Sequence, residues 1–353
     1  MTQTWLLYGA NGYTGELIAR EAVKRGMTPI LAGRSRSRIE PLAAELGCKS
    51  AVFSLDDHTA MVAALNRTRA VLNCAGPFSQ TARALMQGCL ATHVHYFDIT
   101  GEIDVFELAH SVHDKAERAR IVLCPGLGFD VVPTDCLAVS LKQALPDATH
   151  LALGFDGGSG PMSRGTAKTA VEGAAAGSRM RRDGKIVQAP LASSVRRIDF
   201  GAGEKLAVGI PWGDVSSAFY STGIPNIDVF TASSQRAIKR LRRTNLLRPL
   251  LARRPVVRML QRAAEKRVQP PTQAQRDLNS TLVWGEVRNA AGQAKTARLR
   301  TANGYSLTVC SSLAFLESMP NESPYAGFAT PAMVMGADFA TTLPGSSPIR
   351  FDG

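Results

Sequence analysis

Residues 5–15, Trp5-Leu6-Leu7-Tyr8-Gly9-Ala10-Asn11-Gly12-Tyr13-Thr14-Gly15, lead into the helical stretch ELIAREAVKRG. The short apolar run reads as a buried strand. The three glycines spaced G-x-x-G-x-x-G then read as a tight turn that opens a helix. Glycine lets the backbone come close to a pyrophosphate, which can rest on free N–H groups at the positive end of that helix. Gly9, Asn11, Gly12, Tyr13, Thr14 and Gly15 are therefore candidate dinucleotide contacts. A bare glycine triplet also suits a merely structural turn, so the strand–loop–helix setting carries the reading.

Working outward, TWLLY, PILAG, SAVFSL, AVLNCA, VHYFDI and IVLCP alternate with helical segments up to about residue 145. This alternation predicts an α/β, Rossmann-type doubly wound parallel sheet with right-handed crossovers, residues 1–145. Beyond His150, LALGFDG, RRIDFG, VSSAFYS, NIDVFTA, STLVWGEVRN and TARLRTA lie closer together, several with Gly or Pro turns between them. A second, α+β domain on a largely antiparallel sheet is expected over 146–322. The chain has 353 residues, 45% apolar and 20% charged, room for two globular domains and unlike a disordered chain or a fibre. Six cysteines, Cys48, Cys74, Cys89, Cys124, Cys136 and Cys310, are never closer than 12 positions, which excludes CxxC redox pairs and zinc knuckles. The opening MTQTWLLYGANG lacks a basic region followed by a long apolar one, so a cytoplasmic location is expected.

The strand PILAG ends in Gly33-Arg34-Ser35-Arg36, where an NAD-selective fold would place an acid. A guanidinium pairs with a 2′-phosphate and Ser35 adds a donor, so NADP(H) is the expected cofactor, held by Gly33, Arg34 and Ser35. The alternative is a pair of solvated arginines at a helix start. Asp56 is placed either to reach adenine or to cap the helix beginning near Asp57.

Ligands of open parallel sheets bind beyond the carboxyl ends of the strands. After the fourth strand, Cys74, Ala75, Gly76 and Pro77 form either a contact near the nicotinamide or a rigid turn. After the fifth, Tyr96 is a candidate proton source and Asp98 a candidate for orienting substrate or relaying a proton, while Glu102 and Asp104 suit the dipole of the following helix. After the sixth, Asp130 is a helix cap or a catalytic acid. Ser163, Arg164 and Thr166 begin an Ala-rich helix and suit a carboxylate or phosphate of the substrate; an ordinary Ser cap is the alternative. The six histidines show no ligand spacing, so no metal is expected, and no GxSxG is present.

In order, YGANGYTG, LAGRS, NCAGPF, YFDITGE and PGLGFDVVPTD, with SRGTAKTA, GYSLTV and GFATPAMVMGADF later, resemble the saccharopine dehydrogenase-like oxidoreductases, including the trans-acting enoyl reductases. The resemblance implies an NADP-binding Rossmann domain with the nucleotide on Gly9, Gly12, Gly15 and Arg34. It further implies a second domain used for substrate binding or dimerisation, and a C-terminal segment, 323–353, returning to the first domain; a homodimer is the expected assembly, with the second-domain sheet pairing across a two-fold axis. The loop PGLGFDVVPTD is similar to that of the branch outside the saccharopine-forming enzymes. The expected activity is thus NADPH-dependent reduction of an acyl, enoyl or carbonyl substrate. An imine-reducing amino-acid dehydrogenase is the second reading, and a non-catalytic NADP(H) sensor or membrane-associated scaffold is the third.

The formal charge is +12, of which +11 falls between Arg236 and Arg267, so a nucleic-acid partner is not expected. This basic helical insertion, 235–268, interleaves cations with Ile238, Leu241, Leu247, Leu250, Leu251, Val257 and Leu260. Pro249 and Pro255 should break it into two or three helices. It is an ordinary solvated face, a peripheral contact with the inner face of a membrane, or a dock for an acidic carrier protein.

Overall fold

In the computed structural model, residues 4–158, 163–251, 253–319 and 325–352 are described. The first part of the chain runs β1 (Trp5–Tyr8), α1 (Tyr13–Lys24), β2 (Ile30–Gly33), α2 (Arg36–Glu45), β3 (Lys49–Val52), α3 (His58–Leu65), β4 (Ala70–Asn73), α4 (Phe78–Thr92), β5 (His95–Asp98), α5 (Ile103–Ser111), α6 (His113–Arg118) and β6 (Val122–Cys124). These strands pair in parallel in the order β6-β5-β4-β1-β2-β3. Strands β1, β2, β4 and β5 are buried along their whole length, as a sheet covered by helices on both faces requires. The chain winds from β1 to β3 in one direction and from β4 to β6 in the other. The switch lies between β1 and β4, where Tyr8 pairs in register with Asn73, and the crevice beyond those two carboxyl ends is where such sheets bind ligands.

The chain continues through α7 (Val132–Ala144), β7 (Ala148–Asp156), α8 (Arg164–Ala176), β8 (Ser178–Arg182), β9 (Lys185–Ala189), β10 (Val195–Asp199), β11 (Glu204–Gly209), α9 (Asp214–Thr222) and β12 (Asn226–Ala232). It then forms α10 (Gln235–Leu251), α11 (Arg254–Arg267), α12 (Gln273–Asp277), β13 (Ser280–Asn289), β14 (Ala294–Ala302), α13 (Gly304–Ser318), β15 (Gly327–Phe328), α14 (Pro331–Met335), α15 (Phe339–Thr342) and β16 (Arg350–Phe351). The second sheet has the order β10-β11-β12-β7-β13-β14-β16, with the hairpin β8–β9 attached to β12. Its pairings are antiparallel except β7 with β12. Strand β15 adds a seventh, parallel strand to the first sheet beside β6, while β16 lies against β14 of the second sheet. One apolar core runs without interruption from β1 and α1 through α7 to β7, β13 and β14.

The structure corrects the reading of VSSAFYS, which is helix α9 and not a strand. Val215 and Ala218 at helical spacing are both buried, and Gly223 closes the helix with a left-handed φ of 70°. The hairpin β8–β9 had no apolar signature because four of its ten residues are Lys or Arg. What makes it is the Asp183-Gly184 turn, both residues having positive φ. In the basic insertion Pro249 sits within the last turn of α10, and Pro255 opens α11.

Candidate functional site

The glycine loop is held against the loop that follows β4. Gly9 has φ +81°, and a Cβ there would stand 2.8 Å from Ala75 N and 2.9 Å from the Cys74 carbonyl carbon. A Cβ on Gly15 would stand 2.3 Å from the Gly9 carbonyl oxygen, so only glycine lets α1 start this close to the turn. Gly12 caps α1 with no side chain in the way, leaving the N–H groups of the first helical turn without intrahelical partners. The Asn11 amide oxygen lies against Gly33 at the end of β2. Next to it Arg34 is exposed and pairs with no acid among the described residues, whereas Arg36 is engaged by Glu40. These are the features a dinucleotide with a 2′-phosphate requires: a cradle that a Cβ would fill, a positive helix end and one uncommitted guanidinium. Ser35 occupies the N-cap position of α2, 3.3 Å from Ser37 Oγ. Asp56 is exposed and accepts from Ser54 Oγ; the cap of α3 is its neighbour Asp57, which accepts from Ala60 N at 2.9 Å.

Of the three candidate acids, two are committed to structure. Asp98 is fully buried at the end of β5, and its carboxylate accepts from Tyr96 OH at 2.7 Å, Thr100 N at 3.0 Å and Gly126 N at 2.9 Å. Tyr96, also fully buried, receives Asn73 Nδ2 at 3.3 Å. Burial raises the Tyr96 hydroxyl well above its usual value and Asp98 to about 6. Through these bonds the pair braces the ends of β4, β5 and β6. Asp98→Ala leaves three buried donors unpaired and is expected to cost about 3 kcal/mol, read as a lowered urea midpoint; a midpoint equal to wild type would refute the brace.

Asp130 does not cap α7. The N-cap residue is Val131, and no side chain fills that role. Asp130 instead lies half-buried against Gly101, where a Cβ would be 2.9 Å from its Oδ2, and it takes no hydrogen bond from the described residues. Glu102 also departs from expectation. It leaves the next helix to Asp104 and turns to α4, accepting from Phe78 N at 2.9 Å and Ser79 N at 2.7 Å. Burial above all raises both carboxyls to about 7, and in Asp130 the charge of Glu102 adds to it. The Glu102 charge is itself opposed by Glu172 of α8, which accepts from Ser79 Oγ at 3.2 Å. Cys74, Ala75 and the exposed Gly76 lead to Pro77, which precedes this N-terminus.

The second domain closes over the crevice through α8. Thr169 Oγ1 lies 3.4 Å from Glu102 Oε1. Ser163 is an ordinary cap here, accepting from Thr166 N at 3.1 Å, and its own N–H donates to Tyr305 OH at 2.5 Å. Arg164 and Thr166 are exposed. Tyr305 packs edge-on against Tyr13, 5.2 Å between centroids. Tyr13 in turn donates to Pro271 O at 2.6 Å and receives Arg276 Nη1 at 2.7 Å, so its hydroxyl is turned to the second domain. Beside Asp130, Phe129 packs on Phe155 and Phe155 on Trp212, a half-exposed aromatic wall. The sequence reading missed Glu172, Phe155, Trp212, Tyr305 and Arg276, which sit on elements distant in the chain; no local motif marks them. Among the described residues one group has metal-ligand proximity, His113, Asp114 and Glu117. His113 Nδ1 already accepts from Phe328 N, tying β15 in place.

Residues 5–124 match the family described as saccharopine dehydrogenase NADP binding domain. The first domain is thus similar to the NADP-binding domain of that family. This saccharopine dehydrogenase-type domain takes NADP(H), in accord with the uncommitted Arg34. Over 155 residues the chain is 32% identical to the trans-acting enoyl reductase of Mycobacterium leprae, covering 41% of this chain and 37% of that protein. Over 156 residues it is 31% identical to a saccharopine dehydrogenase-like oxidoreductase of Arabidopsis thaliana, covering 39% and 34%. The matched region thus spans just over a third of the length of these relatives. The solved structure of apo saccharopine dehydrogenase (L-Glu forming) from Saccharomyces cerevisiae superposes with a TM-score of 0.63 at 11% identity, covering 99% of this chain and 100% of that one. At that identity the likeness is one of fold.

Proposed function

We propose that the protein is an NADPH-dependent reductase that adds a hydride and a proton across a polarised double bond, C=C or C=O, of an acyl-type substrate lodged between the two domains. When bound, NADPH supplies the hydride. The Gly9–Gly15 loop and Arg34 hold the nucleotide, and the loop Cys74–Pro77 lies beside the glycine turn. Asp130 supplies the proton: a half-buried carboxyl that takes no hydrogen bond among the described residues, it is held near neutral pKa by burial and by Glu102. Glu102 is anchored by two backbone N–H groups, which favour its charged form, and so tunes its neighbour. The wall of Phe129, Phe155 and Trp212 suits an apolar chain. The observation that carries this reading is Asp130, half-buried against Gly101 after β6 and without a hydrogen bond among the described residues, in a chain whose first domain matches an NADP-binding one. The enoyl reductase name borne by the mycobacterial relative supports a conjugated acyl acceptor over an imine.

The direct test is NADPH consumption across enoyl thioesters, ketones and imines, with turnover expected on the first. Stoichiometric NADPH binding with no consumption anywhere would replace the reductase by a nucleotide sensor. Arg34→Asp is expected to weaken NADPH about tenfold to a hundredfold by calorimetry while sparing NADH, because it removes the charge facing the extra phosphate. Unchanged NADPH affinity would remove Arg34 from the site.

A further inference from the structure

Helices α10 and α11 carry most of the net charge of the chain, twelve Lys and Arg against Glu265 between residues 236 and 267. The inner face of α10 is accounted for: Ile238 is buried with Ala192 and Val208, Leu241 packs beside it, and Asn245 exchanges hydrogen bonds with the backbone of Leu191. The outer face is apolar where solvent predicts polarity. Leu246 is 84% exposed, Leu247 59% and Leu250 51%. At 3.6 residues per turn, positions 239, 243, 246 and 250 form one stripe and 236, 240, 243, 247 and 250 the adjoining one. The three leucines therefore share an outward face with Arg236, Lys239, Arg240 and Arg243, all exposed. On α11, Met259 is a further exposed apolar side chain at 61%. Adjacent leucines with cations around them are not the scattered surface apolar residues that need no explanation.

From this face we infer that α10 docks the protein on an anionic lipid surface, its leucines entering the boundary between headgroups and acyl chains and its cations pairing with lipid phosphates. Among the described residues no helix is long and apolar enough to cross a membrane, so the contact is peripheral. The leucines project from a convex helix face. Such side chains find complementarity in a deformable lipid surface, whereas a folded acidic partner would have to present a pocket shaped to each of them. The charge supplies long-range attraction and the leucines the short-range hold, so both are required. The inference stands independently of the proposed reaction.

The experiment is co-sedimentation of the full chain with phosphatidylcholine vesicles with and without phosphatidylglycerol, at low salt and at about 0.5 M salt, where charge is screened within a few ångströms. Binding is expected to the anionic vesicles alone and to fall with salt. Leu246→Ser, Leu247→Ser and Leu250→Ser combined in one protein should weaken it roughly tenfold or more. Arg236→Glu, Arg240→Glu and Arg243→Glu combined should weaken it at least as much. Both variants lie outside the nucleotide site, so unchanged NADPH affinity shows that each has folded. Failure to sediment with anionic vesicles at low salt overturns the inference. So does binding that the leucine variant leaves intact, or capture by a purified acidic carrier protein while vesicles are ignored.

Discussion

Replacing Gly15 with alanine is expected to weaken NADPH binding by roughly tenfold to a hundredfold and to lower the melting temperature at the same time. The added Cβ would meet the Gly9 carbonyl oxygen at 2.3 Å and Ala10 Cα at 3.0 Å, and both are backbone atoms that cannot rotate away. To relieve the clash, either α1 withdraws from the turn or the turn leaves Cys74 and Ala75. Either movement displaces the helix N–H groups from the pyrophosphate, where charge-assisted hydrogen bonds depend on position within tenths of an ångström. Gly26→Ala is the matched control. It sits just past the end of α1 with φ +75° and open space around its Cα, so it is strained but remote from the loop. It should lower stability by about 1 kcal/mol and leave the NADPH dissociation constant unchanged. Calorimetry on the two variants separates loop geometry from general instability. Wild-type affinity in Gly15→Ala would mean that the loop does not carry the nucleotide.

The NADP-binding domain was legible in the sequence because its signals are local. Backbone geometry demands glycine at Gly9 and Gly15, and the missing acid after β2 sits one strand away. The first sheet was legible for the same reason, since a buried parallel strand must be a continuous apolar run. The second domain was less so. The hairpin β8–β9 is built from arginines, and Arg181 is buried only because Glu107, the Val215 carbonyl and the Gly184 carbonyl receive its guanidinium. No hydropathy pattern encodes that arrangement. The segment VSSAFYS has too few residues for alternation to be told from helical spacing, and Gly223 was the deciding signal. The candidate acids were named from their positions, which carry no information on the groups that converge on each. Whether a carboxylate is spent on structure depends on how many N–H groups converge on it. Asp98 receives Thr100 and Gly126 from two different loops, and Asp130 receives none among the described residues. Likewise the direction in which Glu102 turns, to α4 and not to α5, follows from the approach of an N-terminus on a separate helix.

With Asp130→Asn the rate of substrate reduction should fall by about two to four orders of magnitude, while NADPH affinity stays the same. Asparagine keeps the size and the hydrogen-bonding oxygen but has no proton to give. In the wild type the acid must be protonated, so kcat should be constant below its pKa of about 7 and fall tenfold per pH unit above it. Glu102→Gln makes the assignment specific. Removing the negative charge beside Asp130 lowers the pKa of Asp130, so the falling limb moves to lower pH; if Glu102 itself were the donor, the limb would vanish and the rate with it. Stability changes with the same sign. In the folded state both carboxyls titrate near 7, against about 4 in the unfolded chain, so between those values the folded protein binds more protons and its stability declines as pH rises. Asp130→Asn should flatten that decline in urea melts taken across the same window. A pH–rate profile of Asp130→Asn that retained the limb near 7 and the wild-type rate would exclude Asp130 as the proton source.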